Sequence, residues 1–299
     1  MDKQQSLISI KDALLSAAVS ISQILRDSGD VSMGVGSQNA FGEHQLRADL
    51  LSNEELFTSL RGKCRFALSE ENPVPQEMGG EHFVVTFDPL DGSSIIDTNF
   101  SVGTIFGVWD VENIIGASGR DLVFAAMVIY GSRTTVLLEE KSDWTAKSIE
   151  NSTVSTYTLT RGEWVKTREN LKIANKTKLF APANLRAQCK HDGYKNLVRH
   201  WEDQGFTLRY TGGLAPDTYQ IFIKGSGIFS SPVTESAPAK LRLLYECAPI
   251  ARLIEIAGGE AYGVNGPVLD IVVDGYEHKS ALCVGSAEEV RRFIEFMNN

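Results

Sequence analysis

Cysteine is scarce in this chain. Four stand among 299 residues (Cys64, Cys189, Cys247 and Cys283), far apart and with no C-x-x-C pair. That spacing argues against a zinc site or a disulfide framework and fits reduced thiols. Basic blocks are missing too, and the net charge is -9, so nucleic acid is not an expected partner. A small anion remains open to it, because a few local cations or a metal can reverse the field in one cleft. No uninterrupted apolar run approaches the ~18 residues of a membrane span, so no membrane partner is expected. The start, Met1-Asp2-Lys3-Gln4-Gln5, has no basic n-region or long apolar h-region. A cytoplasmic location is the expectation, although a trimmed organellar form would read the same. Repeats and low-complexity segments are absent. What is left, 42% hydrophobic and 22% charged, describes an ordinary globular chain long enough for one thick domain or two tightly joined ones.

Periodicity gives the elements. Ile10, Leu14, Ala17, Ala18, Ile21, Ile24 and Leu25 recur at helical spacing over 9–27. Ser28-Gly29-Asp30 ends that helix, and Gly34, Gly36 and Asn39 mark a loop. A second helix is predicted at 46–60 and a short strand at Cys64–Leu68. The β-branched and aromatic run 82–87 predicts a strand that stops at Asp88-Pro89. Further strands are predicted at 101–109, 122–130 and 134–140. The polar stretch 141–168 reads as hairpins and loops at the edge of the first half. The second half predicts helices at 192–203, 214–223, 238–257 and 286–297. Its strands are predicted at 206–210, 226–230, 260–264 and 269–273. Alternating strands and helices predict an α/β class of layered sheets with helices between and outside them.

The chemistry concentrates in Asp88-Pro89-Leu90-Asp91-Gly92-Ser93-Ser94. A turn at the end of a buried strand aims two carboxylates into one cavity and exposes the N–H groups of Gly92, Ser93 and Ser94. Carboxylates bind a hard cation, and free N–H groups bind phosphate. Both within one turn suit a metal-assisted phosphoester hydrolase. An isolated Asp-Gly-Ser would be a plain turn. Glu70-Glu71 adds a second acidic pair after an apolar run, where a solvated turn is the ordinary alternative. Glu43 and Asp49 flank a helix start. Glu246 is a lone acid in an apolar helix, and a surface position on an amphipathic face is equally open to it.

Together these segments resemble the fructose-1,6-bisphosphatase family and its lithium-sensitive phosphatase superfamily. The likeness runs from about residue 10 to the end. It is carried by Ser69-Glu70-Glu71, Phe87 through Ser94, Gly103 through Trp109, Tyr130 through Thr135, Leu208 through Gly213, and Lys240 through Glu246. The resemblance implies a layered α-β-α-β-α sandwich of the sugar phosphatase fold. Residues 1–168 would carry most metal ligands, and 169–299 the sugar and distal-phosphate site. It implies two or three Mg²⁺ ions held by Glu70, Asp88, Asp91 and Glu246, with the Leu90 carbonyl helping and Glu43 near a further ion. Glu71 and Asp49, with Asp91, would serve the attacking water. Gly92, Ser93 and Ser94 would cradle the phosphate that is cleaved. Asn184, Arg209, Tyr210, Leu214 and Lys240 would bind the sugar and its second phosphate. In this family the residue matching Arg209 reaches a neighbouring subunit, which implies a homodimer or homotetramer.

Departures from the fructose enzyme's pattern narrow the implied substrate. Ala187 replaces the tyrosine of its N-x-x-Y segment, and Ser230-Ser231-Pro232 stands where a second tyrosine is expected. Both changes open the site in the direction a seven-carbon sugar requires. The implied reaction is removal of the 1-phosphate of sedoheptulose 1,7-bisphosphate, with fructose 1,6-bisphosphate, or both sugars, as the alternative. Tyr245-Glu246-Cys247-Ala248 departs from the W-D-x-A motif of inositol monophosphatases. Plastid relatives carry a cysteine pair in a loop matching residues 30–40, which here holds none, and His82-Phe83 replaces the Lys-Tyr of the AMP site. Neither a thiol switch nor AMP control is expected.

Overall fold

The structure is a computed structural model describing residues 2–27, 34–38 and 44–298, with side chains not described at 35–38, 44 and 45. Six α-helices occur among the described residues: α1 (Lys3–Asp27), α2 (Arg47–Leu60), α3 (Asp192–Asp203), α4 (Leu214–Lys224), α5 (Ala248–Ile256) and α6 (Ala287–Met297). A small ribbon pairs β1 (Gly34–Gln38) with β2 (His44–Leu46), where the sequence predicts only a loop. The large sheet holds β3 (Phe66–Ser69), β4 (Gln76–Glu77), β5 (Val84–Asp91), β6 (Val102–Trp109), β7 (Leu122–Tyr130), β8 (Thr134–Glu140), β9 (Thr153–Thr160) and β10 (Glu163–Arg168). Its order is 10-9-8-7-6-5-3-4. All its pairings are antiparallel except β3 with β5. The small sheet holds β11 (Leu179–Pro182), β12 (Thr207–Leu208), β13 (Ile228–Ser231), β14 (Glu260–Tyr262) and β15 (Leu282–Gly285), in the order 12-11-13-15-14.

Five layers enclose three cores, one of which fills both faces of the middle helices. Leu7, Ile10, Leu14 and Ile21 of α1 pack with Leu56 and Phe57 of α2 on one face of the large sheet. Each such burial stabilises by about 1.5–3 kcal/mol. The opposite face meets α4 and α5, which in turn cover the inner face of the small sheet. Phe180, Ile228 and Cys283, on the outer face of that sheet, pack against α3 and α6. The result is the expected α-β-α-β-α sandwich. Strands β5, β6 and β7 are buried along their whole length. Helices cover both of their faces, which is why they read as continuous apolar runs rather than alternating ones.

Several expectations need correction. By length and mean hydropathy (1.4 over its most apolar window) α1 could cross a membrane, although no uninterrupted apolar run is that long. Its buried stripe against α2 and the sheet marks it as a core helix. Within 141–168 the expected hairpin does form, as β9–β10 at the edge of the large sheet. The long helix predicted at 238–257 is an irregular stretch, a π turn at Leu243–Cys247, and only then α5. Pro249 sits in the first turn of α5, the one place a helix tolerates its missing N–H. The strand predicted at 269–273 is largely a 3₁₀ turn, Val268–Asp270, followed by a single bridge from Val272 to Ser118. The unpredicted strand β15 lies between β13 and β14.

Candidate metal-dependent active site

Strand β5 runs on through Asp91 instead of stopping at Pro89. Residues three apart on a regular strand face opposite sides of the sheet. Asp88 and Asp91 do not, because β5 and β6 change register between them. Asp88 lies opposite Ile105 and Asp91 opposite Gly103. Pro89 and Leu90 together face Thr104 alone. This is a β-bulge, which re-aims side chains, and Pro89 occupies it without forfeiting a ladder donor. Both aspartates thereby look toward α4, α5 and the π turn.

The π turn supplies the third carboxylate. The Arg242 carbonyl accepts from Glu246 N (3.1 Å) and Cys247 N (3.0 Å). Glu246 Oε2 in turn accepts from Arg242 N at 2.6 Å. Glu246 is buried, so the surface-face alternative does not hold. One oxygen each of Asp88, Asp91 and Glu246 lie within 4.8 Å of one another. Glu70, at the first position after β3, sits beside them with its carboxylate paired to the Arg242 guanidinium.

Electrostatics at this centre favour a cation among the carboxylates. Burial first, then repulsion from Glu70, Asp91 and Glu246, pushes the Asp88 carboxyl well above its ordinary range. Glu246 is raised likewise by burial and Glu70, against the pull of Arg242. Burial pushes Asp91 up to about 7, although the N–H groups of Ala215 and Leu214 oppose the shift. Isolated buried carboxylates are costly. Hard oxygen donors gathered at this spacing fit a divalent cation such as Mg²⁺.

Two turns meet at this centre. Gly92 takes φ 83° and opens a 3₁₀ turn, Ser93–Thr98. A Cβ on Gly92 would lie 3.3 Å from the Cα of Gly213, so the strain-free left-handed φ and the close approach both require glycine. Across that contact, Asp91 accepts from Leu214 N (3.2 Å) and Ala215 N (2.6 Å). A carboxylate is favoured at the helix N-terminus. Asp217 shapes the same turn by accepting from Thr211 N (2.8 Å) and Gly212 N (3.0 Å).

The remaining candidates are placed as follows. Asp49 is buried in the first turn of α2 and accepts from Leu46 N at 2.9 Å. Glu71 is half-buried, and its N–H donates to Ser69 Oγ (3.1 Å). Leu90 is buried in the bulge, and its N–H donates to Asp88 Oδ1 (2.9 Å). Arg209 and Tyr210 are exposed and line a cleft of about 430 Å³ with Ser132, Arg133, Thr211 and Tyr219. Asn184 takes φ 52°, and its Nδ2 donates to the Pro232 carbonyl at 2.8 Å. Lys240 is exposed in the irregular stretch before Arg242. Leu214 has its side chain in the core and its amide on Asp91, so it offers a ligand no free side chain or N–H. Ala187 is fully buried in the outer core, so no opening stands where the missing tyrosine was expected to leave one. Glu43 lies outside the described residues.

Sequence reasoning missed Arg242 and Asp217. Arg242 carried a signal, standing four residues before Glu246 in the same string. Asp217 carried none, since an acid in a first helical turn reads as an ordinary cap.

Comparison with known proteins agrees with this architecture. Family models described as fructose-1-6-bisphosphatase, N-terminal domain, and fructose-1-6-bisphosphatase, C-terminal domain, match residues 1–169 and 173–298. The chain is 45% identical over 265 residues to the chloroplastic sedoheptulose-1,7-bisphosphatase of Spinacia oleracea, covering 87% of this chain and 66% of that one. The match thus spans just under two thirds of the spinach protein's length. The class 1 fructose-1,6-bisphosphatase of Trichlorobacter lovleyi is 35% identical, with 91% of this chain and 84% of that one covered. A Toxoplasma gondii crystal structure, provisionally named a sedoheptulose-1,7 bisphosphatase, superposes with a TM-score of 0.91 at 35% identity, covering 98% of this chain and 94% of that one. With two family models spanning nearly its whole length and relatives matched along most of theirs, the chain belongs to the fructose-1,6-bisphosphatase family.

Proposed function

We propose that this chain is a Mg²⁺-dependent phosphatase that removes the 1-phosphate of sedoheptulose 1,7-bisphosphate. The observation that carries the reading is the buried trio Asp88, Asp91 and Glu246, with oxygens within 4.8 Å, next to the Gly92 turn. Glu70, Asp88, Asp91 and Glu246 would hold two or three ions with the Leu90 carbonyl, and Glu43 would stand near a further one. Bound there, Mg²⁺ lowers the pKa of a water and offsets charge on phosphoryl and leaving oxygens.

The chain's own groups divide the remaining work. Glu71 and Asp49 orient the attacking water and take its proton on a carboxylate oxygen. The N–H groups of Gly92, Ser93 and Ser94 hold the phosphate being cleaved. Arg209 and Lys240 neutralise the second phosphate, and Asn184 and Tyr210 fix the sugar between. Energy from that distal contact positions the reacting end. The N-terminal half, 1–168, carries most ion-binding groups, and 169–299 the sugar site. Exposed Arg209 suits a homodimer or homotetramer in which it serves a neighbouring site.

The seven-carbon preference rests on the likeness to the spinach protein, since Ala187 is buried and opens no space for a longer sugar. The test is kcat/KM for the two bisphosphates on one preparation. A higher value for sedoheptulose 1,7-bisphosphate is expected. A value tenfold or more in favour of fructose 1,6-bisphosphate, about 1.4 kcal/mol of discrimination, would overturn the preference.

A further inference from the structure

We propose that Thr104 and Tyr130 are positioning residues for the metal-binding aspartates, acting by locking the bulge of β5. The inference rests on the metal-dependent reading above. Asp88 and Asp91 share a face only because one extra residue is accommodated between them. A bulge breaks the ladder locally, so something must hold its extra residue in place. Thr104 Oγ1 donates to the Pro89 carbonyl at 2.9 Å. The same oxygen lies 2.9 Å from the Tyr130 hydroxyl. A threonine hydroxyl has one proton, and Pro89 takes it, so Tyr130 is the donor in the second bond. The bonds therefore run from Tyr130 through Thr104 to Pro89.

The sheet geometry makes this reach natural. Thr104 pairs with Val128, two residues before Tyr130, and such diagonal neighbours come within reach of a long aromatic side chain. Thr104 is fully buried and Tyr130 is 6% exposed, so bulk water does not compete for either bond. Both lie on the α1–α2 face of the sheet, whereas Asp91 reaches α4 on the other face. Neither touches the ion-binding oxygens. Packing does not demand the hydroxyl at 104, because valine fills the same volume. The hydroxyl instead ties the residue opposite the bulge to the peptide that separates the two aspartates.

The experiment uses the intact protein and its Thr104→Val, Thr104→Ser and Tyr130→Phe variants. Mn²⁺ binding is followed by electron paramagnetic resonance, with melting temperature and phosphate release measured alongside. Thr104→Val is expected to bind Mn²⁺ about 10- to 100-fold more weakly, the range for losing a partner that orients a ligand. Thr104→Ser is expected to restore wild-type affinity, and Tyr130→Phe to weaken binding less than Thr104→Val. A Thr104→Val protein that melts lower yet binds Mn²⁺ as the wild type does would overturn the proposal and leave a structural hydroxyl only. If Thr104→Val does not fold, Tyr130→Phe decides in the same way: weaker Mn²⁺ binding supports the proposal and wild-type binding overturns it. Wild-type protein that neither binds Mn²⁺ nor releases phosphate would overturn the phosphatase reading, and the proposal with it.

Discussion

Asp91 performs two tasks with one carboxylate. It accepts two N–H groups at the start of α4 and points at Asp88 and Glu246. That double engagement ties the second half of the chain to the bulge of the first. Arg209 is the opposite kind of residue, exposed at the cleft rim and removable without disturbing a core. Arg209→Ala is expected to raise KM for a bisphosphate on the order of 10- to 100-fold, the equivalent of one or two hydrogen bonds to a charged group. KM for the corresponding monophosphate should change little. Equal effects on both substrates would mean that Arg209 does not bind the distal phosphate. At this scale the sequence was most informative about acids. Asp88, Asp91 and Glu246 were all legible from motif strings, and the structure brings them together. It was least informative about their partners. The Arg242–Glu70 pair joins residues far apart in the chain, which no local pattern reveals.

Among the elements, β8 and α5 are joined by a buried ion pair away from the site. Arg252 donates through Nε (2.7 Å) and Nη2 (2.8 Å) to Glu139, which also accepts from Ser152 Oγ (2.8 Å) and lies 3.3 Å from Lys141 Nζ. Burial alone would raise the Glu139 carboxyl. Arg252 foremost, with Lys141 and Ser152, outweighs it and holds the group below its usual range. A depressed folded-state pKa stabilises above the unfolded value of about 4.3, and that stabilisation is lost as pH falls through the folded value. Glu139→Gln should therefore destabilise by about 3–5 kcal/mol near neutral pH, because it leaves Arg252 buried without its anion. The gap from wild type, measured by urea unfolding, should narrow as pH drops below about 4. A gap that stays constant down to pH 3 would contradict the sign of the shift. Helices and strands with strong periodicity were read correctly, as α2, α3, β7 and β8 show. The π turn was not, because Leu243, Leu244 and Cys247 satisfy a helical pattern equally well. Nor was the bulge, whose one-residue register shift is a property of two strands together and leaves no trace in either alone.

For the molecule as a whole, five alternating layers place one acidic centre between the two sheets. The large sheet contributes Asp88 and Asp91, the turn after β3 contributes Glu70, the π turn before α5 contributes Glu246, and α4 closes the other side through its first amides. The layering followed from composition and alternation, since helices must cover both faces of strands as apolar as β5 to β7. The small sheet's order did not, because β15 is four residues long and β12 only two, too short for period to speak. The central claim is that the buried carboxylates hold Mg²⁺ for phosphate release. Its most direct test is phosphate release from sedoheptulose 1,7-bisphosphate, with Mg²⁺ and with the metal chelated, by wild-type protein and by Asp91→Asn. The variant keeps an acceptor oxygen for α4 but loses the charge at the centre. Activity that requires Mg²⁺, and a kcat at least ~100-fold lower in a folded Asp91→Asn protein, is the predicted result; turnover near the wild-type rate in that variant, or undiminished turnover without the metal, would contradict it.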